Sequence, residues 1–231
     1  MNGFFDRSKS LFGEEAFERI ANAKVAVVGV GGVGGWCAEA LVRTGLGRIV
    51  IVDDDTVAPS NVNRQAQATN STLGQVKVEA MKERLLSINP SCEVTSVSSR
   101  YEGGFPFEGC DVVVDAIDSV RCKAELILAT TEAKVPLISS MGAAFRTDPT
   151  KVCVTRFEKV EGDGLAKALR GAFKKLGRFP ASKFMCVWSS ERPSLLPDVK
   201  GSCMPVTATF GMCLASQVLE ILASEKKEVE E

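Results

Sequence analysis

Short apolar runs alternate with longer stretches of helical periodicity through the first two-thirds of the chain. The apolar runs predict strands over residues 24–28, 49–52, 93–97, 111–114 and 135–140. Apolar positions at helical spacing predict helices over residues 11–22, 36–44, 75–88 and 120–133. This alternation is typical of an α/β protein, so we predict a doubly wound, Rossmann-like and mostly parallel sheet.

The pattern changes in the last third of the chain. Residues 151–157 predict a strand, 165–176 a basic helix and 206–223 an apolar helix, with a proline-containing loop between the two helices. We therefore predict a Rossmann-like domain over residues 1–148 and a smaller C-terminal α+β extension over residues 149–231, packed on the same domain.

The stretch VAVVGVGGVGG, residues 25–35, predicts a phosphate-binding turn. Gly29, Gly31 and Gly34 have the G-x-G-x-x-G spacing, between a buried strand and a helix whose N-terminal end favours an anion. Asp53 ends the next strand, where a carboxylate can bind a ribose hydroxyl. NAD and ATP explain these residues equally well.

Composition excludes several classes of protein. The 231 residues are 45% hydrophobic, which suits one large domain, and they contain no histidine, which rules out Ser-His-Asp triads, Cys-His dyads and histidine metal sites. Eight cysteines without a C-x-x-C pair argue against a zinc ribbon. We find no apolar run near the roughly 20 residues of a membrane span and no signal-peptide core, so we expect a cytoplasmic protein without a membrane partner.

Charged residues after the second strand favour ATP over NAD. The segment that follows Asp53 supplies four polar side chains, Asn61, Asn63, Arg64 and Gln65. Lys77 lies at the start of the next helix, and a leaving pyrophosphate needs such cations, whereas a dinucleotide usually relies on backbone amides. Asp118, at the end of a buried strand, is placed to hold Mg²⁺ against phosphate oxygens, and Asp115 could do the same.

In this order and spacing, GVGGVG, IVDDDTVAPSNVNRQ, GQVKVE and DAID resemble the ubiquitin-activating-enzyme-like adenylyltransferases. The resemblance implies that residues 1–148 are an ATP-binding adenylation domain, which makes an acyl-adenylate on a substrate carboxylate and releases pyrophosphate. It assigns Asp53 to the ribose, Arg64 and Lys77 to the phosphates, and Asp118 to Mg²⁺. It also implies a homodimer, in which Arg7 reaches into the active site of the other subunit. We expect the nucleotide to be bound by Gly29, Gly31, Gly32, Gly34, Asp53, Asn61, Asn63, Arg64, Gln65, Lys77 and Asp118.

The last third resembles one branch, the tRNA threonylcarbamoyladenosine dehydratases, through RTDPTKVCVTRFEKVEGDGLAKALR, VWSSERP and GSCMPVTATFGMCLAS. Those enzymes adenylate the threonyl carboxylate of the modified adenosine next to the anticodon, and cyclisation then expels AMP, so the net change is loss of water. This sequence departs from their pattern at Gly164, where proline is expected, and at Ser8, where threonine is expected. The resemblance implies tRNA as a partner, and it admits a sulfur-transfer or cysteine desulfurase partner.

Two alternatives stay open. The first is an adenylyltransferase that activates the C-terminus of a ubiquitin-like sulfur carrier, and the missing C-x-x-C pairs argue against it. The second is an NAD-binding oxidoreductase or a nucleotide-binding adaptor, and Arg64, Lys77 and Asp118 argue against it.

Residues 151–183 hold nine cations and three acids, a difference of plus six in a chain whose net charge is −1. This segment either contacts an RNA backbone or is a solvated helix face. Four aromatic residues are candidates for stacking on bases, although we expect at least half of them to pack in the core: Phe173, Phe179, Phe184 and Trp188.

Cys186 and Cys203 raise the question of a thioester intermediate, because activating enzymes often pass the acyl group to a thiol. The substrate implied by the resemblance carries its own nucleophile, so no enzyme thiol is required. We expect both cysteines to be packing residues.

Overall fold

A single sheet of seven strands forms the centre of the computed structural model, which describes residues 3–104, 106–193 and 201–224. The strands are β1 (Lys24–Val28), β2 (Arg48–Val52), β3 (Glu93–Val97), β4 (Val112–Asp115), β5 (Leu137–Ser140), β6 (Val152–Arg156) and β7 (Met185–Ser189). Their order is β3-β2-β1-β4-β5-β7-β6, and neighbours are parallel except β6 and β7. The predicted Rossmann-like, mostly parallel sheet is confirmed.

Helices cover both faces of this sheet. They are α1 (Asp6–Phe12), α2 (Glu14–Asn22), α3 (Gly34–Thr44), α4 (Lys77–Ile88), α5 (Val120–Glu132), α6 (Gly164–Leu176) and α7 (Met204–Ala223). On one face, α2, α3, α4 and α7 contribute Ile20, Leu41, Met81 and Phe210 to one core cluster. On the other face, α5 and α6 contribute residues such as Leu169 to a second cluster. The central strands are therefore buried on both sides, which explains their continuous apolar runs.

Two element predictions are wrong. The helix predicted over residues 11–22 is two helices, α1 and α2, which meet at Gly13, where φ is 80°. The proline-containing loop contains β7, which pairs in parallel with β5. Cys186 and Val187 of β7 are buried, so this strand has none of the polar alternation that marks a half-exposed strand. Residues after 148 thus extend the same sheet.

The expectation that no apolar run approaches the length of a membrane span is also wrong. The helix α7 has 20 residues, and an 18-residue window of it has a mean hydropathy of 1.5, so length and composition alone would let it cross a membrane. In the fold, its buried residues Val206, Phe210, Leu214 and Val218 belong to the core cluster that contains α3. A core helix satisfies the same test, so this is weak evidence for a membrane.

Candidate active site

A cleft of about 720 Å³ opens at the carboxyl ends of β1, β2 and β4. The sheet order reverses here, because β1 lies between β2 and β4, and open α/β sheets bind ligands at such points. Nine of the residues expected to bind the nucleotide line this cleft: Gly29, Gly31, Gly32, Asp53, Asn61, Arg64, Gln65, Lys77 and Asp118.

The glycine turn presents unpaired backbone donors to the cleft. Gly29 has a φ of 90°, and a Cβ on Gly34 would lie 1.8 Å from the Gly29 carbonyl oxygen, so both positions need glycine. Gly34 lies behind the cleft wall and serves this close packing. Among the described residues, the N–H groups of Gly31, Gly32 and Val33 have no hydrogen-bond partner. They lie at the N-terminus of α3, which therefore forms an anion site.

Asp53 and Lys77 lie beside the turn and are both largely buried. Asp53 accepts hydrogen bonds from the N–H groups of Val30 at 2.9 Å and Asp55 at 3.0 Å, which leaves acceptor capacity for a hydroxyl. Burial raises the pKa of Asp53, and the charge of Lys77 partly opposes this effect. Lys77 Nζ lies 2.6 Å from Asp55 Oδ2 and 3.9 Å from Asp53 Oδ1. A buried ammonium is thus fixed in the cleft beside Asp53 and Asp55.

Arg64 lies across the glycine turn. A Cβ on Gly32 would lie 3.1 Å from Arg64 Cγ, and Trp36 Nε1 donates to the Arg64 carbonyl at 2.9 Å. The guanidinium donates to the Ser60 carbonyl at 2.8 Å and to Asn63 Oδ1 at 3.0 Å. Asn63 does not line the cleft; it orients Arg64 and donates to the Ser202 carbonyl at 2.8 Å.

Two amides expected to bind the nucleotide are buried in the cleft wall. Asn61 Oδ1 accepts from the Ala58 N–H at 3.0 Å and so shapes the turn before Arg64. Gln65 is 6% exposed, and its Oε1 has no hydrogen-bond partner in the described part of the chain. A buried acceptor without a donor lowers the stability of the fold. Gln65 Oε1 is therefore suited to accept from a hydroxyl or amino group of a ligand.

Five carboxylates line the cleft, and their partners distinguish them. Asp54 lies 3.0 Å from Arg100, and Asp163 lies 2.9 Å from Arg146, while Asp53 and Asp55 have the partners given above. Asp118 is exposed and has no hydrogen bond or ion pair to any described residue. Asp118 is therefore the carboxylate in the cleft that is available to a cation.

Asp115 is not an alternative to Asp118. Both it and Lys123 are fully buried, 2.9 Å apart, and Asp115 also accepts from Ser139 Oγ at 2.7 Å. Burial raises the pKa of Asp115, and Lys123 and Ser139 oppose this effect. Lys123 Nζ also donates to the Ile117 carbonyl at 3.0 Å, so this pair supports the loop that carries Asp118.

Arg7, expected in the active site of another subunit, is exposed on α1 and does not line the cleft of its own chain. Its role stays a prediction. Sequence reasoning missed the buried pair of Arg146 and Asp163, which lines the cleft. Asp163 also accepts from the N–H groups of Gly142 at 3.2 Å and Ala166 at 2.9 Å, and so fixes α6 to the loop after β5.

This chain is similar to several known proteins over most of its length. The model of the ThiF family matches residues 5–231. The tRNA threonylcarbamoyladenosine dehydratase of Bacillus subtilis strain 168 is 45% identical over 178 residues, which are 75% of this chain and 70% of that protein. The enzyme of the same name from Escherichia coli K12 is 40% identical over 214 residues, 89% of this chain and 80% of that protein.

A solved structure is similar over nearly the whole fold. This structure is the crystal structure of the E. coli dehydratase TcdA in complex with ATP, which matches this chain with a TM-score of 0.87 and 39% sequence identity. The match covers 95% of this chain and 93% of the TcdA chain. The resemblance to the dehydratases that the motifs indicated is confirmed.

Proposed function

Because the chain belongs to the ThiF family, we propose that it is an ATP-dependent enzyme that dehydrates threonylcarbamoyladenosine in tRNA, next to the anticodon. One observation carries the proposal. Three unpaired N–H groups, the cations Arg64 and Lys77 and the unpaired carboxylate of Asp118 line the same cleft, where phosphoryl chemistry needs them.

The reaction has two steps. A threonyl carboxylate oxygen attacks the α-phosphorus of ATP, the bond to the β-phosphate oxygen breaks, and pyrophosphate leaves. Arg64 and Lys77 stabilise the charge that develops on this leaving group. The nucleophile in the same threonylcarbamoyl group then attacks the activated carbonyl and releases its proton to solvent, and AMP leaves with one carboxylate oxygen, so the net change is loss of one water. Ring closure within one side chain has a high effective concentration, so positioning suffices for the second step.

The residues of the cleft fit Mg²⁺. A hard cation takes carboxylate oxygens and usually keeps phosphate oxygens and water as its other ligands. Asp118 offers such an oxygen, whereas the clustered oxygens of Asp53, Asp54 and Asp55 already accept from Val30, Arg100 and Lys77. When bound, Mg²⁺ would neutralise charge on the phosphates beside Asp118.

Features outside the cleft support a cytoplasmic homodimer. All eight cysteines are free, which suits a reducing compartment. The helix α1 buries none of its seven residues, and Leu11 is 78% exposed, so a second copy of the chain would stabilise it. A sulfur-transfer or cysteine desulfurase partner stays an expectation from the resemblance.

The proposal is tested with purified protein, Mg²⁺, ATP and threonylcarbamoylated tRNA, followed by mass spectrometry of the nucleosides. We expect the modified adenosine to lose the mass of one water, with one AMP and one pyrophosphate formed per product. Asp118→Ala and Lys77→Ala should each lower the rate by about 100-fold or more. Lys77→Ala removes a cation that stabilises the charge of the leaving pyrophosphate, and Asp118→Ala removes the carboxylate that would hold Mg²⁺ against the phosphates. Lys82→Ala, on the same helix as Lys77, is the matched control.

Two results would contradict the proposal. One is unchanged tRNA together with ATP-dependent adenylation of a ubiquitin-like carrier C-terminus, which would favour the sulfur-carrier alternative. The other is binding of NAD as tight as binding of ATP.

A further inference from the structure

The N-terminal half of α6 forms part of the cleft, and its exposed face continues beyond it. Gly164, Leu165 and Ala168 line the cleft. At 100° per residue, Gly164 and Ala168 lie on the same side of the helix as Lys167, Lys174 and Lys175. The residues between these lysines on that side are Ala168 and Gly171, so no bulky side chain separates the lysines. We call Lys167, Lys174 and Lys175 the α6 lysines.

The α6 lysines are free to bind a ligand, whereas the neighbouring arginines are not. All three are exposed, and none has an ion pair with a described residue. Arg170 donates to the carbonyls of Phe157 and Val160, and Arg178 pairs with Glu125 and Glu132. Among the basic residues of α6 and the turn after it, the α6 lysines are therefore the ones without a side-chain partner among the described residues, and they lie on the face that leads out of the cleft.

An exposed aromatic ring follows the α6 lysines. Phe173 and Phe184 are buried in the core cluster of this face, and Trp188 packs against it. Phe179 is 62% exposed and lies three residues after the end of α6. Phe179 follows Lys175 by four residues. An exposed phenylalanine is unfavourable in water but suits unpaired bases, which stack on aromatic rings while cations contact the phosphates.

We propose that the α6 lysines and Phe179 bind the anticodon loop of the substrate tRNA, a proposal that rests on the function proposed above. The lysines contact phosphates, and Phe179 stacks on an unpaired base. From Ala168 to Lys175 the helix rises about 10 Å, at about 1.5 Å per residue. This distance equals about three steps of a stacked strand at about 3.4 Å each, so nucleotides beside the one in the cleft reach the α6 lysines.

The lysines are tested by salt-dependent binding. The triple variant Lys167→Gln, Lys174→Gln, Lys175→Gln should bind tRNA at least tenfold more weakly than the parent chain. The slope of log affinity against log salt should fall by about 2, because each lost single-strand phosphate contact removes about 0.7. The KM for tRNA should rise, while the KM for ATP and kcat at saturating tRNA should not change. Lys82→Gln, on the opposite face of the sheet, is the control and should have no effect.

Phe179 is tested with two RNAs. Phe179→Ala should weaken binding of an anticodon stem–loop about tenfold, and Phe179→Tyr should restore it, because tyrosine retains the ring. Neither variant should change the affinity for a fully paired RNA of equal length, which offers no unpaired base.

The outcomes separate this proposal from the proposed function. Equal tRNA affinity of the triple variant and the parent chain would overturn the role of the lysines, whether or not the parent forms the cyclic product. A change of oligomeric state in Phe179→Ala, with unchanged RNA affinity, would identify Phe179 as a protein contact and overturn its role. Absence of product from the parent chain would contradict the proposed function alone, since the binding measurements need no turnover.

Discussion

At the scale of single residues, the cysteines decide whether the reaction passes through a covalent enzyme intermediate. Cys186 is fully buried in β7, and burial raises the pKa of its thiol far above the ordinary value. Cys203 is partly buried, and its thiol donates to the Arg146 carbonyl over 3.8 Å. Cys122 is the one cysteine of the eight that lines the cleft. A buried thiol held as a thiol is a poor nucleophile, so Cys186 is best described as a packing residue.

We predict that Cys186→Ser and Cys203→Ser, made singly, retain most of the dehydration rate, within about threefold of the parent chain. Cys186→Ser should lower the free energy of unfolding by about 1–3 kcal/mol, because a buried hydroxyl needs a partner more than a thiol does. Rates are measured by product and by pyrophosphate release, with Cys122→Ser as a further comparison. A variant that releases pyrophosphate but forms no cyclic product would instead place a covalent intermediate on the pathway.

At the scale of elements, Glu39 joins α3 to α4. The residue is 4% exposed, and its carboxylate accepts from Arg43 Nε at 2.7 Å and from Arg84 Nε at 2.5 Å. Burial by itself would raise the pKa of Glu39, but Arg84 and Arg43 outweigh it and hold the pKa below its ordinary value of 4.5. A carboxyl group whose pKa is lower in the folded than in the unfolded state stabilises the fold at pH values above its unfolded pKa. This stabilisation is lost as the pH falls through the folded pKa.

We predict that Glu39→Gln lowers the free energy of unfolding by about 1–2 kcal/mol near neutral pH, a value that allows for the solvent around Arg43. The difference from the parent chain should stay constant above the ordinary pKa of 4.5 and shrink below it, because protonated Glu39 resembles glutamine. Urea unfolding at several pH values measures this difference. If the difference does not change in acid, the ionised pair is not its source.

The elements also show which features a sequence can predict. The sequence predicts β1, the glycine turn and α3 because the strand, the glycines and the helix are contiguous in the chain. It also predicts β2, which follows α3 as a short apolar run. The strand β7 is hard to predict because it has five residues, three of them buried, between proline-containing segments, and so short a run has no distinctive period. Arg146 and Asp163 are 17 residues apart and meet only when α6 packs on the loop after β5. The choice of Asp118 over Asp115 likewise depends on Lys123, whose burial no local pattern indicates.

At the scale of the whole molecule, the proposed dimer determines whether the cleft is complete in one chain. The seven-residue helix α1 buries no side chain, and helices this short are unstable alone in water. Leu11 of α1 is exposed, and so is Phe4, which precedes this helix. Met212 of α7 is 44% exposed and lines a groove together with Phe12, Ala40 and Leu219. An apolar surface of this kind suits a second copy in a two-fold arrangement.

We predict that light scattering gives the mass of a dimer and that Leu11→Glu shifts the chain towards monomer. If Arg7 acts in the partner's cleft, Arg7→Ala and Asp118→Ala are each inactive alone, but a mixed dimer has one cleft with both residues intact. After complete subunit exchange, half of the dimers are mixed and each has one working cleft of two, so about a quarter of the parent activity should return. If Arg7 acts within its own chain, every cleft of a mixed dimer carries one defect. No activity would then return after exchange verified by mass spectrometry, and that result would remove Arg7 from the partner's site.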